Sequence, residues 1–111
     1  MDTTEPDRAL IERILIDYAK VPYAYGDFHL QTIFDRVDNH YLLMFVGWEG
    51  IRRVHGCLVH VDIIDHKFWI QRDGTEQGIA RELMEAGVPK SRIVLAFRSL
   101  EMRKLTDFAI A

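Results

Sequence analysis

The sequence has only one cysteine and no long hydrophobic run. Because Cys57 has no second cysteine to pair with, an internal disulfide is excluded, and this usage is typical of a reducing compartment. No apolar stretch approaches the roughly 20 residues that a membrane-spanning helix needs. The first residues are acidic and polar, whereas a secretory signal begins with positive charge. We therefore expect a cytoplasmic protein with no membrane contact.

Basic side chains are too few and too dispersed to form an obvious phosphate-binding patch. The chain has 14 Lys and Arg against 17 Asp and Glu, a net charge of −3. Adjacent basic residues occur only at Arg52-Arg53 and Arg103-Lys104. A protein that grips DNA clusters such residues against the phosphates. Direct nucleic-acid binding is therefore disfavoured, unless the fold gathers the dispersed bases on one face.

Length and composition predict a single domain, residues 1–111. A chain of 111 residues that is 49% apolar and 28% charged is ordinary for a globular protein. At this length folding buries roughly 65% of the surface of the unfolded chain, so neither a disulfide nor a metal is required for folding. We expect no cofactor.

Hydrophobic periodicity predicts the secondary structure. Apolar residues recur with the helical period near the N-terminus and with the strand period through the middle of the chain. The predicted helices cover residues 5–20, 76–86 and 99–104, and the predicted strands cover residues 28–36, 41–48, 51–64, 68–72 and 93–97, with an extended segment at 106–110. Pro22 ends the first helix, a loop follows at 23–26, and Asp73 or Thr75 caps the second helix. The expected fold is α+β, an antiparallel β-meander packed by N-terminal, central and short C-terminal helices.

Two of the predicted strands indicate how the sheet is covered. Residues 41–48 are continuously apolar, which is typical of a strand covered on both faces. Strict alternation divides the long strand 51–64 into two faces, with Cys57, Val59, Val61 and Ile63 on one and Leu58, His60 and Asp62 on the other. Gly56 interrupts this strand and indicates a bulge or bend.

The chain is rich in aromatic side chains for its length. Most of them belong in a core, but helices of the predicted size cover only part of two sheet faces. The remaining apolar face would be exposed, and exposed apolar patches mark interfaces. We therefore predict a surface that binds a partner protein or a second copy of the chain in a homo-oligomer. The residues predicted for this surface are Trp48, Arg52, Arg53, His55, His60 and Trp69.

Candidate catalytic and metal-ligating side chains fall short of a complete site. His60 and Asp62 share a strand face and His66 is close in sequence, but a metal ion needs three or four converging ligands and the sequence supplies two. His55 and Cys57 could pair as base and nucleophile, yet strand neighbours at this spacing stand about 6.6 Å apart. We therefore expect a polar sheet face, with no metal site and no catalytic site.

Sequence segments spread in the same order along nearly the whole chain carry a family resemblance. They are Tyr23-Ala24-Tyr25-Gly26, Gln31-Thr32-Ile33-Phe34-Asp35-Arg36, Tyr41-Leu42-Leu43-Met44-Phe45-Val46-Gly47-Trp48, Arg52-Arg53-Val54-His55-Gly56-Cys57, His60-Val61-Asp62-Ile63-Ile64, Trp69-Ile70-Gln71-Arg72-Asp73-Gly74-Thr75, Gly78-Ile79-Ala80, Glu85-Ala86-Gly87-Val88-Pro89-Lys90 and Ile93-Val94-Leu95-Ala96-Phe97. Through these segments the sequence resembles the cyanobacterial XisI family, the fdxN element excision controlling factor proteins. Matches of this length and order are far more specific than a short motif.

The resemblance implies an accessory protein without catalytic activity. XisI-like proteins are controlling factors for excision of the fdxN element, and they act beside a partner, XisH, and a site-specific recombinase, XisF. The partner resembles a nuclease-type fold, and XisI itself has no recognised catalytic residues. The implied function is therefore to bind an XisH-like partner, and no active-site residue is carried over to this chain.

Three alternatives stay open at this stage. One is a recombination directionality factor that contacts DNA itself, with the bases of residues 52–53, 90–92 and 103–104 gathered on one face. Another is an antitoxin-like neutraliser of a nuclease-type partner. The third is a small enzyme built on the histidine, cysteine and aspartate candidates of the long strand. Salt-dependent DNA binding would distinguish the first, and metal content would distinguish the third.

Overall fold

The structure, a computed structural model, describes residues 4–20 and 27–111 as a five-stranded sheet with helices. The helices are α1 (Glu5–Ala19), α2 (Ile79–Glu85) and α3 (Leu100–Arg103), the strands are β1 (Asp27–Asp35), β2 (His40–Glu49), β3 (Arg52–Ile64), β4 (Lys67–Asp73) and β5 (Ile93–Val94), and a short 3-10 helix spans Lys90–Arg92. The predicted loop at 23–26 and the helix stop at Pro22 lie outside the described residues. The predicted α+β fold with N-terminal, central and C-terminal helices is confirmed.

The sheet is a meander in which spatial order follows chain order. The strands lie in the order β1-β2-β3-β4-β5, with antiparallel pairing from β1 to β4 and a parallel β5 beside β4. The strand predicted at 93–97 is shorter, because the chain turns after β5 and Arg98 N–H donates to the Leu95 carbonyl at 3.0 Å. In the segment predicted to be extended at 106–110, Ala109 makes an isolated bridge to Val94.

The hydrophobic core lies between the sheet and the helices α1 and α2. Helix α1 buries Ile11, Ile14 and Leu15, which recur with the helical period and follow Pro6 in the first turn. They pack against fully buried side chains of the strands and of α2, namely Tyr41, Leu43, Val59, Val61, Phe68, Ile70, Ile79 and Leu83. Each such burial contributes about 1.5–3 kcal/mol before the entropy cost of ordering. We call this helix-covered side of the sheet the inner face.

The opposite side, which we call the outer face, has no comparable helix layer among the described residues. Register and alternation place on it His29, Gln31, Ile33, His40, Leu42, Met44, Val46, Trp48, Arg53, His55, Cys57, His60, Asp62, Ile64 and Trp69. The expectation that residues 41–48 are covered on both faces is wrong, because Leu42, Met44 and Val46 are only partly buried and Trp48 is 48% exposed. These apolar side chains therefore lie on a sheet face that is partly exposed.

A β-bulge in β3 changes which residues face the core. Met44 pairs with Cys57 and the adjacent Leu43 pairs with Val59, so Leu58 is the extra residue of β3. Cys57 therefore lies on the outer face, and Leu58 borders a small inner-side cavity. The prediction that strict alternation unites Cys57 with Val59 is wrong, because alternation fails across a bulge. The bend expected from Gly56 occurs two residues later.

Asp73 organises the loop that leads into α2. One of its carboxylate oxygens accepts the Ile79 N–H at 2.7 Å, and the other accepts the N–H of Thr75 at 3.0 Å and its hydroxyl. Helix α2 begins at Ile79 and not at the predicted residue 76, because Gly78 has a φ of 91°, which a helix cannot accommodate. The N-cap residue of α2 is therefore Gly78 and not Asp73 or Thr75 as predicted, although Asp73 binds the first helical N–H from across the loop.

We expect Asp73→Ala to lower the free energy of unfolding by about 1–2 kcal/mol, because several backbone and hydroxyl donors lose their acceptor. Urea denaturation of both proteins measures this difference. Asp107→Ala is the matched control, since Asp107 is exposed and its ion pair with Lys90 spans 3.9 Å. The control should change stability by less than about 0.5 kcal/mol. Equal losses in the two variants would contradict this role of Asp73.

Candidate functional site

Most of the predicted binding residues lie together on the outer face. The five residues there are Trp48, Arg53, His55, His60 and Trp69. The sixth, Arg52, alternates to the other side of the hairpin and donates to Glu49 Oε2 at 3.0 Å. The sheet thus brings five of the six side chains to one surface. Their role in binding stays a prediction.

Each tryptophan of the outer face is paired with an arginine. The Arg53 guanidinium lies 5.1 Å from the ring centroid of Trp48, and Arg103 lies 5.9 Å from that of Trp69. Such cation–π contacts contribute about 0.5–1 kcal/mol at exposed sites. They hold large aromatic surfaces in a fixed orientation, which lowers the entropy cost of contacting a partner there.

A histidine–aspartate–histidine cluster lies on the outer face, where the first residue of β2 pairs with β3 near its end. His40 Nδ1 and His60 Nε2 each lie 2.7 Å from the same Asp62 oxygen, Oδ1. Asp62 is only 8% exposed, and its other oxygen accepts the Gln71 side-chain amide at 3.3 Å. The sequence indicated His60 and Asp62 but missed His40, which the β2–β3 pairing brings opposite Asp62. The third member of a potential ligand set is therefore present.

The charge around the cluster is negative. The hydrogen bond that the Asp62 carboxylate accepts from His40 raises the pKa of His40 above its usual value, and the nearby charges of Asp62, Asp35 and Asp38 act in the same direction. The two imidazole rings meet edge to face with centroids 6.1 Å apart. The cluster consequently favours positive charge, carried either by protonated imidazole or by a bound cation.

Cys57 does not have the environment of a nucleophile. Burial raises the pKa of its thiol, which disfavours the reactive thiolate at neutral pH. Its sulfur donates to the Val59 carbonyl at 3.2 Å. The side chain has the character of a small hydrophobic group, and the absence of a catalytic pair of His55 and Cys57 stays a prediction.

A groove of about 630 Å³ lies between α1 and α2, with residues that precede α2 also in its lining. Among the described residues its lining is acidic, with Asp17, Glu76, Glu82 and Glu85 against the base Arg13. A surplus of carboxylates repels phosphate groups. The groove therefore does not suit nucleic acid or another polyanion.

These features define the class of the protein as an α+β domain with an uncovered sheet face that carries a histidine–carboxylate cluster. The chain belongs to the XisI family, whose family model, described as XisI protein, matches residues 1–110. This membership confirms the resemblance found in the sequence. Among the described residues, no helix is long and apolar enough to cross a membrane.

Solved structures agree with this assignment. An XisI-like protein from Anabaena variabilis ATCC 29413 is 36% identical, with a TM-score of 0.89 over 98% of this chain and 100% of the other. The fdxN element excision controlling factor XisI from the same organism is 32% identical, with a TM-score of 0.83 over 99% of this chain and 100% of the other. A search of curated proteins finds no match.

Proposed function

We propose that this chain is a controlling factor for excision of a DNA element, and that it acts by binding a partner protein without catalysing a reaction. Membership of the XisI family supports the first part, since a relative covering the whole fold is described as an fdxN element excision controlling factor. The shape and chemistry of the outer face support the second part.

The observation that carries the proposal is the exposed apolar surface on the outer face. Ile33 is 50% exposed, Trp48 is 48% exposed and Ile64 is 42% exposed, although all three lie on strands of the sheet. Partly exposed apolar side chains that share one sheet face favour docking of another protein there. The surrounding histidines and arginines supply the polar rim that such an interface requires.

We propose an XisH-like protein as the partner, with a functional link to an XisF-type recombinase. The partner class comes from the family resemblance, and the apolar surface suits a stable complex. An antitoxin-like role would use the same contact to neutralise a nuclease-type partner. The two versions differ in whether the bound partner is active.

Direct DNA contact is less well supported, because many bases are occupied within the chain. Arg52 pairs with Glu49, and Arg92 donates to Asp7 Oδ2 at 2.6 Å. Arg103 donates to two backbone carbonyls. A salt-dependent shift of labelled DNA by the isolated chain would restore this alternative.

The test is co-expression with an XisH-like protein encoded beside this chain, followed by gel filtration with light scattering. We expect a stable hetero-complex from the wild type. Ile33→Glu should weaken its affinity roughly 30-fold, the effect of losing a hot spot of about 2 kcal/mol. Titration of the fluorescently labelled partner with each protein, followed by fluorescence anisotropy, measures this change in affinity.

Ile16→Glu is the matched control, because Ile16 is 40% exposed on α1, away from the sheet. It places the same charge on a similarly exposed isoleucine and should leave affinity within about threefold, as surface changes outside an interface do. Absence of a complex, or equal weakening by both variants, would refute docking on the outer face. A homo-oligomer that ignores the partner would instead assign this face to self-assembly.

A further inference from the structure

The cluster on the outer face has the composition of a metal-binding site. One ring nitrogen each of His40 and His60 and a carboxylate oxygen of Asp62 lie within 4.8 Å of one another. Two imidazoles and one carboxylate form a recurrent ligand set for zinc and related divalent ions, with remaining positions open to water. We propose that His40, His60 and Asp62 bind a divalent transition-metal ion of the zinc type.

The distances are close to those of a coordinated ion. Each nitrogen lies 2.7 Å from Asp62 Oδ1. Bonds of 2.0–2.1 Å in a tetrahedron separate neighbouring donor atoms by about 3.3 Å. Each nitrogen–oxygen pair must therefore expand by about 0.6 Å to hold an ion. The side chains of His40 and His60 are 47% and 32% exposed, so both rings have room to rotate by this amount.

The backbone and the surrounding side chains support the site. All three ligands lie on neighbouring strands, which fix their positions better than loops do. The Gln71 amide donates to the free Asp62 oxygen at 3.3 Å, in the manner of groups that orient metal-ligating carboxylates. Asp35 and Asp38 add negative charge beside His40. The exposed imidazoles leave a route by which an ion reaches the cluster.

The competing interpretation is a hydrogen-bonded cluster without metal. Each neutral imidazole carries one N–H, so both could donate to Asp62 and account for the same distances. A second potential ligand set shares His40 with Asp35 and Asp38. Stoichiometry and the choice of variant distinguish these interpretations from the proposed site.

The experiment is isothermal titration of the tag-free full chain with Zn²⁺ at pH about 8, where protons compete less for the imidazole nitrogens than at neutral pH. We expect one equivalent of Zn²⁺ per chain. His40→Gln, His60→Gln and Asp62→Asn should each weaken affinity at least tenfold. Gln71→Ala should weaken it by about tenfold, as loss of a group that orients a ligand does. Circular dichroism establishes that each variant is folded, and titration with Co²⁺ reports ligand geometry through its visible absorption.

The matched control is His55→Gln, because His55 lies on the same strand and the same face but outside the cluster. It should bind like the wild type. Absence of stoichiometric binding overturns the proposal and leaves a hydrogen-bonded cluster. Equal weakening by His55→Gln overturns it in favour of non-specific binding to surface histidines. Loss of binding in Asp38→Asn with retention in His60→Gln overturns it in favour of the second ligand set.

Discussion

Phe68→Ala is expected to lower the free energy of unfolding by about 3–5 kcal/mol, the usual cost of removing a buried phenylalanine. Phe68 is fully buried at the start of β4, where its ring packs into the core. The Arg92 guanidinium also lies 5.8 Å from the ring centroid. The variant therefore loses apolar burial, leaves a cavity and removes a cation–π contact. Urea denaturation followed by tryptophan fluorescence measures the loss.

The matched control for this substitution is Phe97→Ala, because Phe97 is 47% exposed and also has an arginine over its ring. Its loss should stay below about 1 kcal/mol. A domain of ordinary stability has about 5–15 kcal/mol in total, so Phe68→Ala alone could leave a substantial unfolded population. A loss below 1 kcal/mol for Phe68→Ala would show that the core closes around the missing ring.

Gly47→Ala is expected to cost about 3 kcal/mol, the upper part of the range for overpacking. A Cβ at Gly47 would lie 2.3 Å from Asp27 O, Phe28 Cα and Phe28 Cβ. Two of these atoms belong to the backbone of the adjacent strand, so no side-chain rotation relieves the overlap. The two strands must therefore separate at this end of the hairpin. Urea denaturation gives the magnitude, and faster hydrogen exchange of β1 amides gives the location.

Gly50→Ala is the control for Gly47→Ala. Gly50 has a left-handed φ of 63°, but a Cβ there meets no atom within 4 Å. Its cost should be about 1 kcal/mol, from backbone conformation alone. Hydrogen exchange in β1 should stay as in the wild type. If both variants lost the same stability and β1 stayed protected in Gly47→Ala, close approach of the strands would not be the reason for glycine at this position.

Local patterns in the sequence predicted most of the elements. Helix α1 was predicted because Ile11, Ile14 and Leu15 recur on one face, and the first four strands because apolar runs alternate with short turns. The apolar pattern does not indicate that Gly78 prevents the helix from starting earlier. The predicted start of α2 is therefore three residues too early. Propensity indicates that a helix is present, but the residue at which it starts depends on one backbone torsion angle.

The candidate site depends on a register that the sequence did not reveal. At the hairpin end, Glu49 pairs with Arg52, and continuing that register would place His40 opposite Val61. The bulge at Leu58 shifts the pairing by one residue, so His40 lies opposite Asp62. Without the bulge, His40 and the His60–Asp62 pair would lie on different faces. Gly56 is the only local sequence signal of an irregularity in β3. It indicates neither that the bulge falls at Leu58 nor that the pairing of His40 changes.

The coincidence of sheet order and chain order also bears on how the protein folds. Each strand from β1 to β4 pairs with the next one along the chain, so these pairings require closure of short loops. Pairing between strands that are adjacent in the chain keeps the sequence separation of contacts short, which is associated with faster folding. Strand β5 pairs in parallel and must await its crossover through α2. During synthesis from the N-terminus, each of the strands β2, β3 and β4 therefore emerges after the neighbour with which it pairs.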